Sequence, residues 1–286
     1  MESLSELVFP FDTYRRGQRE MMSAVYQTVL EQDILYSIAP TGIGKTMATL
    51  FASLKALNDP SQKIFYLTAK NAGKKIVVDT VNLLKEKGLV CKTTVINSKE
   101  SMCFMDTVDC DPDICPYAKG FFDRLRPAIN DIFVHDDVYD MKLIKDYGTY
   151  HNICPHEFSL AISNYSDIII CDYNYAFDPR THLIRYFDEE YYTPKLLVDE
   201  AHNLVDRSRS MYSAEIRKGT LLALKKATTK VKPSVRASVN KLIKYIDLFV
   251  EEKEIIKSKF YYQDNIDFEF VNVLERIITV LDKVLA

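Results

Sequence analysis

The sequence lacks any long apolar run, which excludes a membrane-spanning helix, since such a helix needs about 20 consecutive apolar residues. It also lacks the basic N-terminus of a secretory signal peptide, because none of its first six residues is Lys or Arg. We therefore expect a cytoplasmic, intracellular protein with no membrane partner. Apolar residues make up 47% of the 286 and charged residues 27%, as in an ordinary globular chain.

An excess of positive charge is also missing, since the formal net charge is −3. Proteins neutralise nucleic-acid phosphates with individual Lys and Arg side chains. Any binding of nucleic acid must therefore come from a local basic groove. The composition alone neither supports nor excludes a DNA partner.

Runs rich in β-branched and aromatic residues alternate along the chain with segments of helical apolar spacing. Helical patterns cover residues 47–57 and 74–87. Alternating strands and helices predict an α/β fold with a parallel sheet covered by helices on both faces. The predicted strands are residues 33–39, 63–69, 93–97, 167–171 and 195–199.

Residues 98–156 interrupt this alternation and contain four of the six cysteines. We interpret them as an insertion into a sheet domain formed by residues 1–97 and 157–205. Residues 206–286 carry two apolar stripes of helical spacing and form a predicted helical segment. The second stripe reaches the last residue without a Gly, Asn or Pro stop signal, so we expect the chain to end within a domain.

Residues 39–46, with the sequence APTGIGKT, lie between a predicted strand and a predicted helix, the context of a phosphate-binding loop. Ala39 stands where the common motif has its first glycine. The glycines let backbone N–H groups turn toward a phosphate, and Lys45 would reach the β- and γ-phosphates. The Thr46 hydroxyl would bind Mg²⁺. The predicted nucleotide contacts of this loop are Thr41, Gly42, Gly44, Lys45 and Thr46.

Residues 198–202, with the sequence VDEAH, end the last predicted strand. The carboxyl ends of parallel strands are where α/β sheets bind ligands. Asp199 would hold Mg²⁺, and Glu200 would orient and deprotonate an attacking water. The candidate catalytic residues are therefore Lys45, Asp199 and Glu200.

No CxxC pair occurs in the sequence, so the common structural zinc patterns fit poorly. Disulfides are rare inside cells, and four clustered thiols favour a metal site there. Four thiolates can hold a 4Fe-4S cluster, but spacing alone does not choose iron over zinc. The candidate ligands are Cys103, Cys110, Cys115 and Cys154. Cys91 and Cys171 lie in apolar runs and are assigned to the core.

The DEAH sequence and the APTGIGKT loop resemble those of superfamily 2 helicases. Four cysteines inserted between these motifs resemble the XPD/DinG-type iron–sulfur DNA helicases, and the sequences that begin at Cys115 (CPYA) and Cys154 (CPHEF) are similar to that family's. The resemblance covers residues 9–205 and implies a RecA-like first motor domain. It also implies ATP and Mg²⁺ as ligands and a 4Fe-4S cluster on the four cysteines, with zinc as the alternative. By position, residues 206–286 match the family's helical insertion.

The resemblance implies further contacts. Residues 14–18 resemble the family's adenine-recognising segment, in which Gln18 reads the base and Arg15 assists. Two tyrosines follow the fourth predicted strand and would stack on bases, although core packing is an equal alternative for one of them. Lys74 and Lys75 would add positive charge. The implied nucleic-acid contacts are Thr68, Lys70, Asn71, Tyr173 and Tyr175.

Helicases of this family move 5′ to 3′ on single-stranded DNA, bind junctions of single- and double-stranded DNA, and use two motor domains. The sequence shows no second motor domain, so we expect this chain alone to bind ATP weakly and hydrolyse it poorly. One alternative is a non-catalytic, metal-bearing nucleic-acid-binding module with the nucleotide as a switch. Another is an ATPase of repair or signalling that does not translocate.

Overall fold

The computed structural model describes residues 7–188, 190–228, 233–253, 255, 260–265 and 267–285. Its strands are β1 Gln62–Leu67, β2 Thr93–Val95, β3 Val138–Tyr139, β4 Ile168–Cys171 and β5 Thr193–Val198. Its helices are α1 Gln18–Glu31, α2 Lys45–Ala56, α3 Asn71–Lys85, α4 Lys99–Met102, α5 Phe121–His135, α6 Met141–Tyr150, α7 Pro155–Ser163, α8 Asn174–Phe177, α9 Ile184–Phe187, α10 Leu204–Met211, α11 Lys218–Ala227, α12 Pro233–Glu252 and α13 Phe268–Leu285. A 3₁₀ turn covers Ala201–Asn203.

The five strands form one sheet in the order β3-β2-β4-β1-β5, and every pairing is parallel. Ile64 of β1 lies opposite Ile168 of β4 and also opposite Lys195 of β5. Parallel pairing brings the carboxyl ends of β1, β4 and β5 to one edge of the sheet. The predicted α/β class, a RecA-like parallel sheet with helices on both faces, is confirmed.

The two faces of the sheet hold separate apolar cores, because successive side chains of a strand point to opposite faces. On one face Ile64, Tyr66, Ile168 and Ile170 pack with helices α2 and α3. On the other face Phe65, Leu67, Ile169 and Cys171 pack with residues from the segment 173–211. All four residues of β4 are buried, as expected for a central strand covered on both faces.

The cysteine-containing segment has a core of its own around Met102, Phe121, Ile132, Ile144 and Ile153. It also supplies β3, which pairs with β2 and forms one edge of the sheet. The sequence pattern did not predict this two-residue strand, because a run so short has no measurable periodicity. The segment is therefore joined to the sheet by backbone hydrogen bonds as well as by chain connection.

The chain divides into two compact units between Tyr212 and Ser213. Met211, at the end of α10, packs into the first unit. The first unit therefore extends past residue 205, where the sequence analysis places the end of the sheet domain. In the second unit, Val235, Val239 and Ile243 of α12 pack with side chains of α11 and α13. Among the helices in the described ranges, none combines the length and the apolar character that a membrane span requires.

The prediction of a strand over residues 33–39 is wrong for this structure. These residues form no ladder, and the side chains of Ile34, Tyr36 and Ile38 are 74%, 89% and 104% exposed. A left-handed Gln32 ends α1, and the Asp33 carboxylate accepts the Ile34 N–H. An apolar run becomes a strand only where a neighbour pairs with its backbone, and the sheet described here ends at β5.

Replacing a buried isoleucine and an exposed one by alanine tests this placement. Ile169→Ala removes a side chain with 0% exposure and should lower the free energy of unfolding by about 2–5 kcal/mol. Ile34→Ala removes the same atoms from a side chain that is 74% exposed and should change the free energy of unfolding by less than about 0.5 kcal/mol. Chemical denaturation of both variants measures these values. Equal destabilisation would place residues 33–39 inside a sheet.

Candidate nucleotide site

The loop of residues 39–46 leads directly into α2, and Gly44 is the residue that precedes the helix. Gly42 and Gly44 have φ of 88° and 79°, a region that glycine enters without steric cost. The loop follows a segment that pairs with no strand, so the expected strand before it is missing while the loop and helix are present. The free N–H groups and dipole at the start of α2 favour a bound anion.

Lys45 reaches across the sheet edge. Its Nζ lies 3.4 Å from the Ala39 carbonyl oxygen and 3.8 Å from the Glu200 Oε1 atom. The Thr46 hydroxyl lies 3.5 Å from the Tyr66 hydroxyl of β1, whose pKa is raised to about 12, chiefly by burial. The structure thus brings Lys45 and Glu200, which are far apart in the sequence, together at one place.

Arg15 and Gln18 lie against the same loop, at the start of α1. The Gln18 Nε2 group lies 3.5 Å from the Gly44 carbonyl oxygen, and the Arg15 guanidinium donates to the Gly42 carbonyl. The Gln18 Oε1 atom accepts the Arg15 N–H at 3.1 Å. Gln18 is buried, whereas Arg15 is exposed. Both predicted adenine-site residues therefore contact the phosphate-loop backbone directly.

The carboxylate pair lies at the carboxyl end of β5. The Asp199 N–H donates to the Leu67 carbonyl of β1 at 3.0 Å, which continues the ladder into the site. Burial and the neighbouring Glu200 carboxylate raise the pKa of Asp199 above its ordinary value, while Lys45 opposes that shift. A cation bound here would relieve the repulsion between the two carboxylates, which suits a divalent ion.

Glu200 has φ of 50°, in the left-handed region, although it is not glycine. Such backbone costs on the order of 1 kcal/mol and persists where neighbouring groups fix it. The Asn203 N–H and side-chain amide both donate to the Glu200 carbonyl, at 2.9 and 3.1 Å. His202 Nδ1 lies 3.4 Å from the Glu200 carboxylate.

The residues implied to contact nucleic acid are divided by the structure. Lys70 and Asn71 are exposed at the start of α3, but Thr68 is buried. Tyr175 is partly buried and donates to the Asn97 carbonyl at 3.0 Å. Tyr173 is 0% exposed, so its ring has no free face for a base, and of the two alternatives core packing applies to it.

Lys74 and Lys75 differ in the same way. Lys75 is exposed and pairs with Asp79, as an ordinary surface lysine does. Lys74 is buried, and its Nζ donates to the Ile96 carbonyl and the Asn97 Oδ1 atom, each at 2.9 Å. The expectation that Lys74 adds surface charge is therefore wrong, because its ammonium group holds the end of β2 to α3.

The four candidate metal ligands lie in one segment but are not gathered at one point. Cys110 is exposed, Cys115 is buried, and Cys103 and Cys154 are intermediate. Burial raises the pKa of the Cys154 thiol, and Cys110 is near enough to contribute to that shift. Among the described residues, no group of three or more His, Cys, Asp or Glu side chains is arranged to hold a metal.

The other two cysteines, and the two histidines that flank Cys154, make contacts within the fold. Cys91 and Cys171 are buried in the core, as the sequence predicted, and burial raises the pKa of the Cys91 thiol to about 12. His151 Nε2 lies 2.8 Å from the Asp131 carboxylate. His156 is buried, with Nε2 at 3.4 Å from the Tyr175 hydroxyl.

Comparison with solved structures identifies the fold. A structure titled XPD_Helicase superposes with a TM-score of 0.59 at 21% identity, covering 82% of this chain and 40% of that one. A second, titled Truncated XPD, gives a TM-score of 0.56 over 78% of this chain and 63% of that one, also at 21% identity. The first unit therefore has the α/β, RecA-like fold of these helicase structures.

Sequence comparison then gives the family. The DEAD_2 family profile matches residues 68–221, more than half of the chain, so the chain belongs to the DEAD_2 family. It is 24% identical over 300 aligned residues to the regulator of telomere elongation helicase 1 homolog of Caenorhabditis briggsae, across 89% of this chain. It is 20% identical, across 84% of its length, to the general transcription and DNA repair factor IIH helicase subunit XPD of Arabidopsis thaliana. The chain spans 28% and 37% of the lengths of these two relatives.

Alanine substitutions at two loop glycines test the contact between Gln18 and the loop. A Cβ atom at Gly44 would lie 2.6 Å from Gln18 Nε2, whereas one at Gly42 meets nothing within 4 Å. Both positions have positive φ, so each variant should lose a similar stability of about 1 kcal/mol. Because Gly44→Ala also displaces Gln18, it should bind a ribose-labelled fluorescent ATP analogue about tenfold more weakly than Gly42→Ala. Equal affinities would show that Gln18 has no part in binding.

Proposed function

We propose that this chain is the nucleotide-binding motor region of an ATP-dependent DNA helicase. The observation that carries the proposal is the meeting of Lys45, at the start of α2, with Glu200, at the end of β5, 3.8 Å apart at one sheet edge. The helicase relatives and the DEAD_2 family support the same assignment. We assign to the region the coupling of ATP hydrolysis to movement on DNA.

In this proposal the start of α2 and the Lys45 ammonium bind the β- and γ-phosphates of ATP. Asp199 and the Thr46 hydroxyl hold Mg²⁺, whose role is to neutralise charge on the phosphates. Glu200, half exposed beside them, orients a water for attack on the γ-phosphate and accepts its proton. The Glu200 carboxylate next to Asp199 supports this assignment, because two neighbouring carboxylates attract a divalent cation.

Arg15 and Gln18 complete the nucleotide site in this proposal. Their contacts with the Gly42 and Gly44 carbonyls support a position against the phosphate loop. An amide offers both a donor and an acceptor, which is the pairing that the adenine edge requires. Gln18 would read the base, and Arg15 would hold the loop against it.

The DNA partner in this proposal is single-stranded DNA or its junction with a duplex, with movement 5′ to 3′. Lys70 and Asn71 support a backbone contact, because both are exposed at the start of α3 beside the carboxyl end of β1. Thr68, which is buried, would act through its contact with the α3 start, since its hydroxyl lies against Gly73. Unwinding would require a second motor domain, whose arginine stabilises the transition state.

Cys103, Cys110, Cys115 and Cys154 would hold a 4Fe-4S cluster that stabilises the insertion, with zinc as the alternative. The donor set supports a metal, since four thiols lie in one segment and Cys110 and Cys154 interact electrostatically. Lys99 lies near enough to the same two thiols to interact with them electrostatically. Binding of a metal would require Cys103 and Cys115 to move closer to Cys110 and Cys154. The loop between Cys103 and Cys115 would have to make that movement.

Removing the Lys45 ammonium should weaken binding of Mg-ATP about tenfold to a hundredfold, because charge-assisted hydrogen bonds to the phosphates are lost. Lys55→Ala is the matched control, since Lys55 lies in the last turn of the same helix and bonds to the Leu7 carbonyl. Titration with a fluorescent ATP analogue compares Lys45→Ala, Lys55→Ala and the unaltered chain. Equal weakening by both substitutions would remove the nucleotide site from residues 39–46.

The same variant separates the two main functions. For a motor, binding of single-stranded DNA responds to ATP in the unaltered chain and loses that response in Lys45→Ala. DNA binding that ignores both ATP and the substitution would favour the non-catalytic module. ATP hydrolysis that single-stranded DNA does not stimulate would favour an ATPase that does not translocate.

Metal analysis after anaerobic purification tests the cysteine assignment. The expected result is a brown protein with about four irons and four sulfides per chain. Cys110→Ser should lower the iron content, whereas Cys91→Ser, which alters a buried core thiol, should leave it unchanged. A colourless protein with about one zinc would contradict the iron assignment.

A further inference from the structure

Tyr173, two residues after the end of β4, is fully buried, yet its hydroxyl group is directed at the backbone carbonyls of the candidate catalytic residues Asp199 and Glu200. The hydroxyl donates to the Asp199 carbonyl and lies 3.3 Å from the Glu200 carbonyl. The ring packs in the apolar core that contains Phe65 and Ile169, on the face of the sheet opposite α2 and α3. A ring held in a core gives its hydroxyl a fixed position, as a flexible surface side chain cannot.

The residue before Tyr173 makes a second connection to the same turn. Asp172 accepts two hydrogen bonds from the Arg207 guanidinium, at 2.7 and 2.8 Å. Arg207 lies on α10, which follows the Asp199–Glu200 turn after a single 3₁₀ turn. Two neighbouring residues at the end of β4 thus hold the carboxylate turn itself and the helix that leaves it.

This turn needs outside support, because Glu200 has φ of 50° and ψ of 48°. A non-glycine residue keeps a left-handed conformation only when neighbouring groups fix it. The Tyr173 hydroxyl supplies part of that support from another strand. The hydroxyl must be the donor in both contacts, because a carbonyl oxygen can only accept.

We propose that Tyr173 is a positioning residue for the magnesium and water-activating carboxylates, acting through the backbone carbonyls of Asp199 and Glu200. This inference rests on the proposed nucleotide site and assigns that site a support outside its two motifs. Tyr173 touches neither nucleotide nor metal. Its loss should therefore reduce the part of nucleotide binding that depends on Mg²⁺ and leave the part that depends on the phosphate loop.

Tyr173→Phe removes only the hydroxyl group and keeps the ring in the core. The test measures the affinity of the chain for a fluorescent ATP analogue with and without Mg²⁺. The gain in affinity on adding Mg²⁺ should fall about threefold to tenfold, the effect of losing one buried hydrogen bond. The affinity without Mg²⁺ should stay unchanged.

Tyr186→Phe is the matched control. Tyr186 belongs to the same core, is 1% exposed, and its hydroxyl bonds with Ser163 and Asn164 rather than with the carboxylate turn. This variant should keep the full Mg²⁺-dependent gain. A thermal unfolding curve for each variant verifies that both proteins fold.

The outcomes separate this inference from the proposal beneath it. An unaltered chain whose affinity gains nothing from Mg²⁺ would contradict the proposed nucleotide site. A normal gain in the unaltered chain that persists in Tyr173→Phe would overturn the positioning role alone. An equal loss in Tyr186→Phe would also overturn it, because the effect would then come from a loosened core.

Discussion

The parallel pairing of β1 with both β4 and β5 is the constraint on which the rest of the site depends. It fixes where three strands end, and each strand is followed by residues to which we assign a role in the proposed function. Thr68 follows β1, Asp172 and Tyr173 follow β4, and Asp199 follows β5. Hydrogen bonds from Thr68 to Cys171 and from Asp199 to Leu67 extend the ladder one residue past the strands. A shift of one residue in this register would turn each of these side chains to the opposite face.

Charge decides what this edge can bind. Asp199 and Glu200 repel each other, and the partial burial of Asp199 strengthens that repulsion. Lys45 lies 3.8 Å from Glu200 and offsets part of it. The start of α2 adds positive potential, which favours an anion, while the carboxylates favour a cation. The magnesium–nucleotide complex that we propose as ligand carries both kinds of charge and would satisfy both sides of the site.

Much of the fold could be predicted from the sequence, because central parallel strands are apolar throughout and stand out against helical spacing. The strands around Phe65, Thr94 and Ile169 were found in this way, and so was the last strand before Asp199. Residues 33–39 carry the same signal and form no strand, since the pattern records apolar side chains and not the presence of a pairing partner. The strand β3 is the reverse case, because it has a pairing partner but is only two residues long and gives no periodic pattern.

The candidate site was predictable where a motif places backbone and side chain together, as in the loop before α2. The site was not predictable where a buried side chain bonds to a residue of another element. Lys74 looks like a surface group in the sequence, because ammonium groups are usually solvated, and for Tyr173 the sequence leaves core packing and base stacking equally open. Their roles depend on partners from other elements, Asn97 for Lys74 and Asp199 for Tyr173. Spacing along the chain contains no record of such contacts.

The measurement that tests the central claim most directly is a crystal structure of this chain with Mg²⁺ and a non-hydrolysable ATP analogue. The account predicts the phosphates at the start of α2, the ion between Thr46 and Asp199, and the base beside Gln18. It also predicts that the Tyr173 hydroxyl keeps its bond to the Asp199 carbonyl. A nucleotide bound elsewhere, or bound here with its metal away from Asp199, would contradict the account.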